Sequence, residues 1–242
     1  GFVLAGAAVS EASAASPQFR SCSQLEKVVP LPDGSAIAAG VTWTGVDCDS
    51  GWNDQQFLTR FNPDGSLDKN FGEEGIATAP TDIGPILGLF RNGSGRFLLA
   101  GAEEFDQFKG DGSLDLTFGE SGRLDLGDIA DTQFGSLTVA LGGGSIYVLR
   151  IYNAPPSLSK FDSSGKPDQE FGNGGSIKLA TNPNKGSTAV GADGNGRAIL
   201  GGYVGNGSGY VQFVRRLETD GSVDSSFGTG GIAYAPQTDC GF

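Results

Sequence analysis

Residues 60–75 read RFNPDGSLDKNFGEEG, and the same grammar returns in KGDGSLDLTFGESG (109–122), FDSSGKPDQEFGNGG (161–175) and LETDGSVDSSFGTGG (217–231). The Phe-Gly pairs begin at 71, 118, 171 and 227, giving spacings of 47, 53 and 56 residues. A period of that length marks a supersecondary unit that buries its faces against neighbouring copies. An apolar run opens each unit, as in SAIAAG (35–40), RFLLAG (96–101) and RAILGG (197–202). An alternating stretch, QFLTRF (56–61) or QFVRRL (212–217), leads into the DG turn, and GIATA (75–79) or GIAYA (231–235) closes the unit. About four short strands per 40–50 residues is the blade of a β-propeller. The fold class is therefore all-β: a propeller of about four blades built from internal repeats, with an N-terminal strand-like extension. Helical bundles are disfavoured, because glycine interrupts nearly every apolar run.

The pattern R-x-N-x-D-G-S-L-D-x-x-F-G-x-x-G resembles the secreted propeller repeats called delta-sixty repeats. The resemblance runs over four units within residues 22–240 and implies a propeller fold and export, with no activity attached. Repeat boundaries fall near 22–82, 83–127, 128–182 and 183–240, leaving residues 1–21 as an apolar and Ala/Ser-rich arm. The third unit departs from the pattern, with Ser164 in place of the turn aspartate and Pro167 in place of leucine. A looser turn is expected there.

Forty-one glycines without a G-X-Y period exclude collagen, and an apolar content of 38% is too high for plain disorder. A net charge of −12 argues against nucleic-acid partners, which require clustered Lys and Arg, and against anionic lipid surfaces. No stretch reaches the roughly 20 apolar residues that span a bilayer, so membrane insertion is not expected. The start, GFVLAGAAVS, reads either as a signal-peptide-like segment or as a strand matching RFLLAG.

The repeated residues carry a structural reading and a chemical one. Asp64-Gly65, Asp111-Gly112 and Asp220-Gly221 signal hairpin turns in which both central residues would take positive φ. With the second aspartates Asp68, Asp115, Asp168 and Asp224, they also offer clustered oxygens of the kind calcium prefers. Turn chemistry explains every one of these residues, so no cofactor is expected, with calcium as the alternative. Phe71, Phe118, Phe171 and Phe227 read as blade-to-blade core plugs. Trp43, Trp52, Tyr152 and Tyr210 are the better ligand candidates. Two sequons, at Asn92 and Asn206, are candidate glycan acceptors in an exported chain.

The catalytic inventory is thin. Histidine is absent, which removes Ser-His-Asp and Cys-His catalysis together. Glu73-Glu74 and Glu103-Glu104 are acidic pairs, but adjacent residues of a strand point to opposite faces. An enzyme is not expected.

Three cysteines, Cys22, Cys48 and Cys240, permit one bridge and one remaining thiol. Cys22 lies eighteen residues before Gly40, as Ile83 lies eighteen before Gly101, so both stand at the start of a blade. Cys240 falls where a further blade would begin. A Cys22–Cys240 disulfide closing the ring is expected, with Cys22–Cys48 as the local alternative. The arm is then left over, and Phe2, Val3 and Leu4 become candidates for donation to another subunit's sheet edge. The sequence thus points to an extracellular or cell-surface structural subunit that partners itself, forming oligomers or filaments. The alternative is a glycan- or calcium-dependent adhesion module.

Overall fold

A computed structural model describes residues 22–43, 54–127, 137–151, 156–179, 185–205 and 209–236. They form four antiparallel four-stranded sheets. The first holds β1 (Ser23–Pro30), β2 (Ala36–Trp43), β3 (Asp54–Phe61) and β4 (Ile76–Thr78). The second holds β5 (Ile86–Arg91), β6 (Phe97–Gly101), β7 (Glu104–Phe108) and β8 (Arg123–Asp125). The third holds β9 (Leu137–Gly142), β10 (Ser145–Arg150), β11 (Ser157–Phe161) and β12 (Ser176–Lys178). The fourth holds β13 (Lys185–Ala192), β14 (Ala198–Gly205), β15 (Tyr210–Arg216) and β16 (Ile232–Tyr234). Within each sheet the order follows the chain, and the first strands pack in succession, β1 on β5, β5 on β9 and β9 on β13. This is the architecture of a four-bladed β-propeller. Among the described residues no helix is long and apolar enough to cross a membrane.

Period-two alternation explains how thin blades share cores. In β6, Phe97 and Leu99 face the first blade while Leu98 and Ala100 face the third. In β10, Ile146 and Val148 face the second blade while Tyr147 and Leu149 face the fourth. One cluster fills each junction: Ile37, Ala39, Leu58 and Phe71 with Ile86 and Leu89; Phe105 and Phe118 with Val139 and Phe161; Leu158 and Phe171 with Leu200 and Leu217. Burying a Phe or Leu side chain contributes roughly 1.5–3 kcal/mol. These three clusters are the core of the described residues.

A β-bulge near the middle of the first strand recurs in three blades, between Leu25 and Lys27, Ile86 and Gly88, and Ser187 and Ala189. The glycine opposite it has no room for a side chain. A Cβ on Gly40 would fall 2.2 Å from the Gln24 carbonyl oxygen, and one on Gly202 would fall 2.1 Å from that of Gly186. The glycine ending AAG and LGG is therefore a close-approach residue.

Candidate functional site

The DG turns lie at the blade junctions. Gly65 donates its N–H to the Asn62 carbonyl, and Asn62 donates to Ser66. Gly65 has φ +83°, whereas Asp64 is absent from the left-handed region. The turn is thus a type I turn followed by a left-handed glycine, not the doubly positive turn expected from Asp-Gly. The aspartate's task is capping: Asp64 Oδ1 accepts the Ser66 N–H at 2.9 Å and the Ser66 hydroxyl at 2.6 Å. Asp111 does the same with Ser113, and Asp220 accepts the Ser222 N–H. Hydrogen bonds from those serines hold all three carboxyls below the usual range.

The third turn is as well tied as the others. Asp162, two residues earlier, accepts the N–H groups of Ser164 and Lys166 and the Ser164 hydroxyl. Gly165 donates to the Asp162 carbonyl, and Phe161 pairs with Pro167. The cap has moved along the chain, so the looser turn expected from Ser164 does not occur.

Each second aspartate is neutralised by a cation. Asp68 pairs with Arg60 at 3.7 Å, Asp115 with Arg96 at 2.5 Å, and Asp168 with Lys160 at 2.8 Å. Asp224 takes two, Arg216 at 2.6 Å and Arg197 at 3.3 Å. Burial opposes ionisation of Asp115, but bonds from Thr117 and the charge of Arg96 outweigh it, and its pKa is lowered. Asp224 falls to about 2, chiefly through the Ser226 hydroxyl, with Arg216 adding to it. Among the described residues no three His, Cys, Asp or Glu side chains gather as a metal site.

Next to each turn stands the Phe-Gly bend of the preceding blade. Gly72 donates to the Asp111 carbonyl at 2.7 Å, Gly119 to that of Ser164 at 2.6 Å, and Gly172 to that of Asp220 at 2.8 Å. Phe71, Phe118 and Phe171 are fully buried beside these bonds. Phe227 is not a core plug of that kind: it is half-buried, and Gly228 donates to no turn carbonyl among the described residues. The expectation of four equivalent plugs holds for three.

The other expected residues are scattered. Asn92 caps the β5–β6 turn, accepting from Ser94 and Arg96, and its amide donates to Gln107 Oε1 at 3.2 Å. Tyr210 is exposed and meets Tyr203 edge-on at 5.2 Å. Glu104 accepts from the Thr81 hydroxyl and pairs with Arg123 at 3.6 Å. Cys22 is buried and disulfide-bonded. Its two available partners, Cys48 and Cys240, lie outside the described residues, as do Asn206, Trp52, Tyr152, Phe2, Val3 and Leu4.

Two features escape the motif reading. Asp106 in β7 is fully buried with no partner on either carboxylate oxygen. Burial, and then the Glu104 carboxylate, push it up to about 7. Its equivalent in the first blade, Thr59, donates its hydroxyl to the Gly75 carbonyl. The second feature is a cleft of about 330 Å³ between blades two and three, lined by Arg91, Asn92, Gln107, Gly143, Ser145 and Ser163. It opens because β9 and β10 are joined by Gly143–Gly144 alone, whereas residues 31–35, 92–96 and 193–197 form longer loops.

No curated protein matches the chain. Residues 31–71 and 194–227 match a family model described as a domain of unknown function (DUF5122) beta-propeller. Each matched stretch contains a second strand, a third strand, a DG turn and its Phe, so the chain is a β-propeller similar over these stretches to that family.

Proposed function

We propose that the chain is a non-enzymatic, exported propeller of the delta-sixty type that acts as a structural or assembly subunit. The observation that carries this reading is an exposed apolar face on blade four, where Tyr203, Val214 and Tyr234 stand open. Val214 on the outward face of blade four is 39% exposed, while its equivalents Leu58, Phe105 and Leu158 are fully buried. A sheet face built to pack and left bare is an association surface. The disulfide at Cys22 supports an oxidising compartment and hence export. Caps and cations already engage the repeated aspartates, which supports a structural role for them. Strand donation by the arm, through Phe2, Val3 and Leu4, belongs to the same proposal. Light scattering across a wide concentration range tests it: mass rising with concentration is expected, and a constant monomer overturns it.

The cleft between blades two and three favours a second reading, a saccharide-binding module. Its Arg91, Asn92, Gln107 and serine groups stand beside the apolar Leu141 and Ile146. A glycan array should then show binding that Arg91→Ala removes.

A further inference from the structure

We propose that the cleft between blades two and three binds acidic saccharides, with Arg91 holding the carboxylate of a uronic-acid residue. This rests on the saccharide reading of the cleft given above and names the class of sugar. Residues that recur once per blade serve the fold. The cleft is lined instead by residues that break the repeat, and they converge on one cavity.

Arg91 is the first departure. It ends β5 opposite Phe97, and at the same register the other blades carry Pro30, Leu141 and Ala192. Among the described residues it is the one charged side chain lining the cleft, in a chain of 16 cations and 28 anions. It is exposed and makes no ion pair among the described residues.

Gln107 is the second. Blades one, three and four place a cation there, Arg60, Lys160 and Arg216, each paired with its own second aspartate. In blade two Arg96 serves Asp115 instead, so a neutral amide can occupy the position. Gln107 is buried, donates to Asp115 Oδ2 at 3.2 Å and accepts from Asn92 Nδ2 at 3.2 Å. Asn92 Oδ1 is filled by Ser94 and Arg96, which fixes the amide orientation and leaves its nitrogen a second proton to donate.

The opposite wall is the third. Gly143 and Gly144, at φ 58° and 80°, put no side chain over the opening. A Cβ on Gly143 would lie 2.2 Å from the Gly196 nitrogen, and one on Gly142 2.7 Å from Ala192 Cβ, so this wall is pressed against blade four. The cleft is therefore held open by its neighbours on both sides.

Its volume of about 330 Å³ stands at the small end of ligand pockets, roughly 300–1,000 Å³, and suits a sugar ring better than a polypeptide. A guanidinium binds a carboxylate through two parallel N–H bonds, each stronger than a bond between neutral groups. The Asn92 amide and the Ser145 and Ser163 hydroxyls can meet ring hydroxyls, while Leu141 and Ile146 offer an apolar surface to the ring's C–H face. A polyphosphate would need clustered cations, which the cleft lacks.

The test titrates the full-length protein with glucuronate, glucose and acetate, followed by NMR shifts. Glucuronate should bind about tenfold or more tightly than either of the others, because it alone uses both parts of the site. Arg91→Ala should bring glucuronate down to the level of glucose, and Arg91→Lys should keep part of the preference. Ser163→Trp, at an exposed position on the rim, should block both sugars. Unfolding curves confirm that each variant folds. Equal binding of glucose and glucuronate, unmoved by Arg91→Ala, overturns the carboxylate assignment and leaves the saccharide reading standing. Acetate binding as tightly as glucuronate, or no response to any sugar, overturns both.

Discussion

The amide of Gly72 donates to the carbonyl of Asp111 at 2.7 Å, and through that bond the Phe-Gly bend of one blade is locked to the DG turn of the next. The most repeated residues of the sequence thus act between units as well as within them. Phe71 is buried beside this bond, with the second blade closing over it.

The plugs should therefore differ in weight. Phe118→Ala empties a fully buried site and should cost about 3–5 kcal/mol. Phe227→Ala removes a half-buried ring that lies under the Arg216 guanidinium at 4.8 Å, and should cost less than half as much. Denaturant unfolding of the two variants checks the ratio.

Asp106 gives a pH signature. An unfolded chain ionises this carboxyl in the ordinary range, near 3.8, whereas the folded chain keeps its proton up to about 7. Its contribution to stability should therefore decline as pH rises from about 4 to about 7 and stay level above, by on the order of 2–4 kcal/mol. Asp106→Asn should flatten that decline and raise the unfolding midpoint at about pH 8. Urea titrations at several pH values read both effects.

Among the described residues, Glu74 and Ser121 are the two non-glycine residues with positive φ, at 52° and 56°. Gly174 and Gly230 occupy the same place in the other blades, at 62° each. Glu74→Gly and Ser121→Gly should each stabilise the fold by up to about 1 kcal/mol, and Gly174→Ala should destabilise it by a similar amount. Thermal melts of the three variants suffice.

The cations should not be equivalent. Asp115 is buried and paired with Arg96, and it also accepts from the Thr117 hydroxyl and the Gln107 amide. Arg96→Ala should cost about 1–3 kcal/mol. Arg216→Ala should cost less, because Arg197 still reaches Asp224 at 3.3 Å. The difference between the two unfolding midpoints is the readout.

Peptide mapping without reductant identifies the partner of Cys22, which is buried and disulfide-bonded. A Cys22–Cys240 peptide is the expected product, tying blade four to blade one within one chain, and Cys22–Cys48 alone would overturn that ring closure.

What could be read beforehand was whatever repeats. The second, third and fourth strands of each blade, the turns and the Phe-Gly bends share residues, because each must fit the same neighbours. The first strand does not announce itself: SQLEKVVP, ILGLFR, LTVALG and KGSTAVGA share no pattern. The capping role of the aspartates was legible, but the source of each cation was not. Arg60, Lys160 and Arg216 stand before the turn on the third strand, whereas Arg96 comes from the first hairpin, and only the fold brings these positions together. Asp106 was hidden for a similar reason, since an aspartate in an alternating strand looks solvent-facing until the blade beside it is in place.

Among the described residues, every sheet takes its four strands from consecutive positions along the chain, and none is borrowed from a distant part of the sequence. The consequence is modularity at the level of the gene. Duplicating or deleting one whole unit, some 47 to 56 residues, would change the number of blades without rewiring a single strand pairing. A cut made inside a unit would leave a sheet without its edge. Blade number here is a count that inheritance can change one step at a time.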